Sequence, residues 1–189
     1  MLISCSFDDH KKRDPPLGPL DVDHIKDFVL EILHLVYIGV VKRFFEFLGF
    51  GKSRKSPNSI GVDQQIELNA WVVELEKYIP SNFSRRMTNG IDIASLEASE
   101  HRLAVLYSGL AILSHSCVPQ DIYDNFRDLC VGMRFLVSEG EEAAMREGEF
   151  VEQLLRRFIK TAEVSFSDIF YCQNVHSLIH LPDDYLLQS

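Results

Sequence analysis

The stretch FVLEILHLVYIGVV (Phe28–Val41) decides the fold class. Only Glu31, His34 and Gly39 interrupt its apolar character. A membrane span needs about 20 residues with few charges. This run is shorter and carries Glu31 and His34 inside it. It predicts a helix buried on most sides within a protein core. Lys42 and Arg43 follow, and then Phe44, Phe45, Phe47 and Leu48 carry the apolar face further. Gly49 and Gly51 supply the stop.

Working outward, the pattern predicts a mainly α protein, an irregular bundle of about five to six helices. Asp63 is placed to cap a second helix, with Ile66, Leu68, Val72, Val73 and Leu75 on or near its apolar side and Pro80 at its end. A third helix is predicted from about Ser95 to Ser114, with apolar residues recurring near a period of 3.6. A fourth opens at Pro119 and Asp121, and Ile122, Phe126, Leu129, Cys130, Met133 and Leu136 form its stripe. Gly140 separates it from a fifth helix with Val151, Leu154, Leu155, Phe158 and Ile159 on one side. The segment Tyr171–Leu187 is predicted helical and broken near Pro182. Residues 1–20 read as an irregular arm and residues 21–189 as a single helical domain. No stretch sustains period-two alternation; Ile3–Phe7 and Val164–Ile169 are the short strand candidates.

The charge is unevenly spread. The chain carries −9 overall, which argues against a whole-protein grip on nucleic acid. Residues 1–90 hold 12 Lys/Arg against 12 Asp/Glu, so the entire excess of acid lies in residues 91–189. Any anion-binding surface belongs to the first half. There the clusters are Lys52, Arg54 and Lys55 in one loop and Arg85 with Arg86 in the next. They suit phosphate-backbone contacts, and equally suit solvated loop charges. Cys5, Cys117, Cys130 and Cys172 are widely spread, without a C-x-x-C pair, and read as thiols of a reducing compartment.

Three stretches in order carry a family resemblance. The first is residues 27–42, with Glu31, His34, Gly39 and Lys42. The second is YIPSNFSRR (Tyr78–Arg86), followed by LEASEHR (Leu96–Arg102) and LYSG (Leu106–Gly109). The third is NVHSLIHLPDD (Asn174–Asp184). Together they resemble the transposase-derived proteins common in invertebrate genomes, DDE-type recombinases related to CACTA elements. The resemblance covers about residues 27–184.

That resemblance implies an RNase H-like core with a helical insertion, and an ancestral DNA strand cleavage and transfer using Mg²⁺ or Mn²⁺ held by three carboxylates. It implies a nuclear, or at least intracellular, location and DNA as the ancestral partner, with contact weak or absent here. In the family the first motif reads Asp-x-Met-His, where this chain has Glu31 and His34. The family's first catalytic Asp lies upstream of the matching region, and its later Glu lies beyond Ser189. The expectation is therefore a catalytically incomplete fragment that needs no cofactor of its own.

Glu31, His34 and Glu100 are the remnant candidates for the catalytic site. Glu31 and His34 share a face at i and i+3, where a carboxylate could hold a metal or the two could form a hydrogen-bonded core pair. Glu100 stands at a helix start and equally suits a solvated acid. Cys172, His176 and His180 fall at i, i+4 and i+8, a zinc-compatible spacing, with Asp183 or Asp184 as a further ligand. As packing residues the two histidines would be unremarked. The competing reading of the whole chain is a stand-alone helical protein-interaction module without nucleic-acid activity. Self-association through unburied apolar surface of the Phe28–Leu48 helix is expected, as is a close approach of the C-terminal His motif to that helix, with Glu31 enclosed.

Overall fold

The first helix is the spine of the molecule because apolar residues occupy so many of its sides that several neighbours can pack on it at once. The structure, a computed structural model, describes residues 31–51, 56–79, 91, 96–138 and 140–183. Helix α1 spans residues 33–50. It is wide-turned over Leu33–Val41 (π-helical), regular over Lys42–Phe45 and wide again over Glu46–Phe50. Val36, Val40, Val41, Phe44, Phe45 and Leu48 are wholly buried. Gly49 ends the helical path at φ 137°, a conformation that side chains with a Cβ rarely adopt.

Helix α2 (Val62–Leu75) runs into a 3-10 turn at Glu76–Tyr78. Its N-terminus is closed by Gln64, whose Oε1 accepts the Gly61 N–H at 2.9 Å. Helix α3 spans residues 98–113, with a π-helical turn at Ala104–Ser108 in its middle. Helices α4 (Gln120–Ser138) and α5 (Gly140–Phe166) form an antiparallel hairpin. Its rungs can be read from residue pairs. Ser165 Oγ donates to Asp121 at 3.0 Å, Asn125 Nδ2 donates to Phe158 O at 2.7 Å, and Arg157 clasps Asp128 through two bonds of 2.5 and 2.6 Å. Asp168–Phe170 is a 3-10 turn, and α6 (Gln173–Ser177) continues into a 3-10 turn at Leu178–His180.

The core forms where α1 meets the hairpin. Phe44 packs on Phe126 at 4.6 Å and edge-on against Phe166 at 5.2 Å, while Phe47 meets Phe170 at 5.3 Å. Such tilted and edge-on pairs add about 0.5–1.5 kcal/mol each beyond area burial. Arg43 pins the same corner: its Nε donates to Phe170 O at 2.9 Å and its guanidinium lies 4.8 Å from the Phe47 ring.

The mainly α, irregular bundle expected from the pattern is the observed fold, with no strand among the described residues. Val164–Ile169, weighed as a strand, is the end of α5 and a 3-10 turn. The stripes expected on α4 are buried throughout, from Ile122 to Leu136. On α2 the expectation fails in part: Leu68 and Val72 are buried, but Ile66 and Val73 are exposed. Ile66 and Val73 lie about 140° away from Leu68 and Val72, respectively more than one face can cover on a helix that touches the core along one edge. The segment after Gln173 is helical, and it runs through Pro182 rather than breaking there. The arm at 1–20, the start of α1 and the loops with Lys52, Arg54, Lys55, Arg85 and Arg86 lie outside the described residues. No helix of the described residues is long and apolar enough to cross a membrane.

Candidate functional site

The wide turns of α1 bring two other helices onto it. From α3, Arg102 hydrogen-bonds the hydroxyl of Tyr37, whose pKa is nonetheless raised because burial outweighs the cation. From α6, Asn174 lies so close to Gly39 that a Cβ there would sit 2.4 Å from its Nδ2. Tyr37 and Gly39 belong to the first of the three stretches quoted above, Arg102 to the second and Asn174 to the third. All three therefore meet around Leu33–Val41.

Glu31 and His34 do form a pair, through Glu31 Oε2 and His34 Nδ1. The pair is at the surface, however: the side chains are 61% and 71% exposed. The expected enclosure of Glu31 is corrected. Burial on α1 begins at Leu35, and Leu33 and Ile38 also face outward, so the helix enters the core one turn later than its composition suggests. His34 is the partner the spacing predicted.

Glu100 is committed to backbone. Its Oε2 accepts the Glu97 N–H at 2.7 Å, a reciprocal cap at the start of α3. Beside it His101 is buried, with Nδ1 3.0 Å from Glu97 O and Nε2 lacking a hydrogen-bond partner among the described residues. Burial lowers its pKa, so the ring is neutral near pH 7.

Cys172, His176 and His180 do not share one helical stripe. Cys172 precedes α6 with extended backbone (φ −146°, ψ 175°), and its carbonyl caps His176 N–H at 2.9 Å. His176 Nδ1 lies 2.6 Å from Tyr171 Oη, and its ring meets His180 edge-on at 5.6 Å. Asp183 is exposed, and Asp184 lies outside the described residues. The α-helical spacing argument breaks because the chain is extended before Gln173 and tightens to 3-10 after Ser177.

A different group assembles elsewhere. Among the described residues, the one set of three or more His, Cys or carboxylate side chains whose ligand atoms all lie within 4.8 Å is Glu67, His115 and Cys117. Glu67 comes from α2, and the other two from the turn between α3 and α4. The His-x-Cys spacing was visible in the sequence; the arrival of Glu67 beside it depends on how α2 docks. No family model, no curated protein and no solved structure matches this chain.

The three carboxylates that an ancestral Mg²⁺ or Mn²⁺ site would need do not fit what is present. Glu31 is taken by His34, Glu100 by the Glu97 N–H, and neither belongs to a group of three ligand atoms among the described residues.

Proposed function

We propose that this chain is a catalytically incomplete helical unit of a DDE transposase-like protein, descended from a metal-dependent DNA strand-transfer enzyme and retaining at most weak contact with DNA. The observation that carries the reading is the convergence on α1. Three stretches far apart in sequence, chosen for their resemblance, are tied together by Tyr37–Arg102 and Gly39–Asn174. Motifs that belong to one inherited unit are expected to share contacts in this way, whereas unrelated fragments have no reason to. The loss of activity follows from the carboxylates, both spent on local partners. Weak DNA contact would come through Lys52, Arg54, Lys55, Arg85 and Arg86, and it suits a nuclear location.

The experiment is incubation of the full chain with labelled duplex DNA and either Mg²⁺ or Mn²⁺, read on a denaturing gel. The reading expects an intact backbone. Metal-dependent cleavage that Glu31→Gln or Glu100→Gln abolishes would overturn it.

A second reading, the stand-alone interaction module, is favoured by one feature. Val62, Ile66 and Val73 line one side of α2 and are all exposed, at 49%, 63% and 46%. Polar replacement of all three separates the readings: it should leave DNA contact unchanged and abolish partner capture if the second holds.

A further inference from the structure

We propose that Glu67, His115 and Cys117 form a zinc site with three protein ligands and an open fourth position. The donors come from two separate segments. Cys117 Sγ stands 3.1 Å from His115 Nδ1, and Glu67 Oε1 stands 3.9 Å from His115 Nε2. The second distance is beyond hydrogen-bonding reach, so the carboxylate is held beside the imidazole without being bonded to it. Around a tetrahedral Zn²⁺ with bonds of about 2.0–2.3 Å, neighbouring donors lie roughly 3.3–3.7 Å apart. The observed spacings bracket that range. Glu67 has a side chain 58% exposed and free to swing, so a small rotation brings its oxygen to the distance an ion requires.

The frame around the donors is rigid. Gln64 Nε2 donates to Cys117 O at 3.2 Å, which ties the turn to α2. Trp71, from the same helix, lies against the His115 ring at 5.7 Å, and its Nε1 donates to Ala111 O at 3.0 Å. The ring is 20% exposed, so the site opens to solvent on one side. A donor set of one sulfur, one imidazole nitrogen and one carboxylate oxygen is borderline-soft. It suits Zn²⁺ and not Mg²⁺ or Ca²⁺, which take oxygen donors. Binding deprotonates the Cys117 thiol, the proton passing to solvent, while His115 coordinates as the neutral ring. Three protein ligands leave the fourth position to water or to a donor from another molecule.

The test uses the full chain and Co²⁺ as a spectroscopic stand-in, followed by competition with Zn²⁺. Wild type should develop a thiolate-to-cobalt charge-transfer band that stoichiometric Zn²⁺ erases. Cys117→Ser should abolish the band, and His115→Gln and Glu67→Gln should each weaken zinc at least about tenfold. Glu67→Gln lies on an exposed position and keeps the fold, which circular dichroism confirms in the same samples. Cys172→Ser with His176→Gln should leave the band unchanged. No band in wild type, a band that survives Cys117→Ser, or one lost with Cys172→Ser and His176→Gln would overturn the site.

Discussion

Gly39→Ala tests the junction on which the functional reading stands. In an isolated helix this change stabilises by about 1 kcal/mol, because alanine restricts the unfolded chain. Here the added Cβ would lie 2.4 Å from Asn174 Nδ2, 3.0 Å from Asn174 Cγ and 2.9 Å from the carbonyl of His34. Carbon contacts settle at about 3.5 Å or more, so the Asn174 amide must retreat by about 1 Å and a carbonyl of α1 itself must shift. Overpacking of this kind costs about 1–3 kcal/mol. The clash outweighs the propensity gain, and the net loss is about 1 kcal/mol, a fall in Tm of about 2–4 °C for a chain of this size. Thermal unfolding followed by circular dichroism reads it. Asn174→Ala in the Gly39→Ala background should restore part of the loss, with a coupling of at least about 0.5 kcal/mol. A Gly39→Ala protein more stable than wild type, or strictly additive effects of the two changes, would refute the close packing of α6 on α1.

Ser167→Gly should stabilise by about 1 kcal/mol, read as a higher urea midpoint, because Ser167 sits at φ 87° and ψ 168°, a region costly for any residue but glycine. Asp128→Asn should destabilise by about 1–2 kcal/mol in the same assay: it breaks two charge-assisted bonds to Arg157, but Arg157 is 58% exposed and regains water. His101 should make the fold sensitive to acid. Its pKa is depressed by burial below the ordinary 6.5, so the neutral ring contributes fully above pH 6.5, and that contribution is lost as the pH falls from there toward the folded value. His101→Gln should therefore flatten the pH dependence of unfolding between about pH 7 and 5 relative to wild type; identical slopes would remove His101 from the account.

The hairpin of α4 and α5 was legible because each helix meets the core along a single line. Ile122, Phe126, Leu129 and Met133 therefore mark that line in sequence and in space. The first helix was legible as buried but not in its direction: apolar residues on nearly every side leave the outward turn at Glu31 and His34 unmarked. The same ambiguity misplaced Ile66 and Val73, since their exposure depends on where α2 docks rather than on its own pattern. The wide turns at Leu33–Val41 and Ala104–Ser108 have no local signal, because they follow from what packs on them. Glu67 could not be joined to His115 and Cys117 by spacing at all; only the clamp of Gln64 and Trp71 brings the two segments together. Conversely, the reading of Cys172, His176 and His180 as one stripe assumed a regular helix where the backbone is extended at one end and tightened at the other.

The salt dependence of DNA binding tests the functional account most directly. Fluorescence anisotropy of labelled duplex DNA would be followed from 50 to 200 mM salt, about the range over which phosphate contacts declare themselves. The account predicts weak binding, with Kd near about 10⁻⁴ M at physiological salt and a log–log slope between about −2 and −4. The slope should collapse when Lys52, Arg54, Lys55, Arg85 and Arg86 are replaced by Gln. Binding that is absent at the lowest salt, or that ignores those five replacements, would contradict it and leave the interaction module in its place.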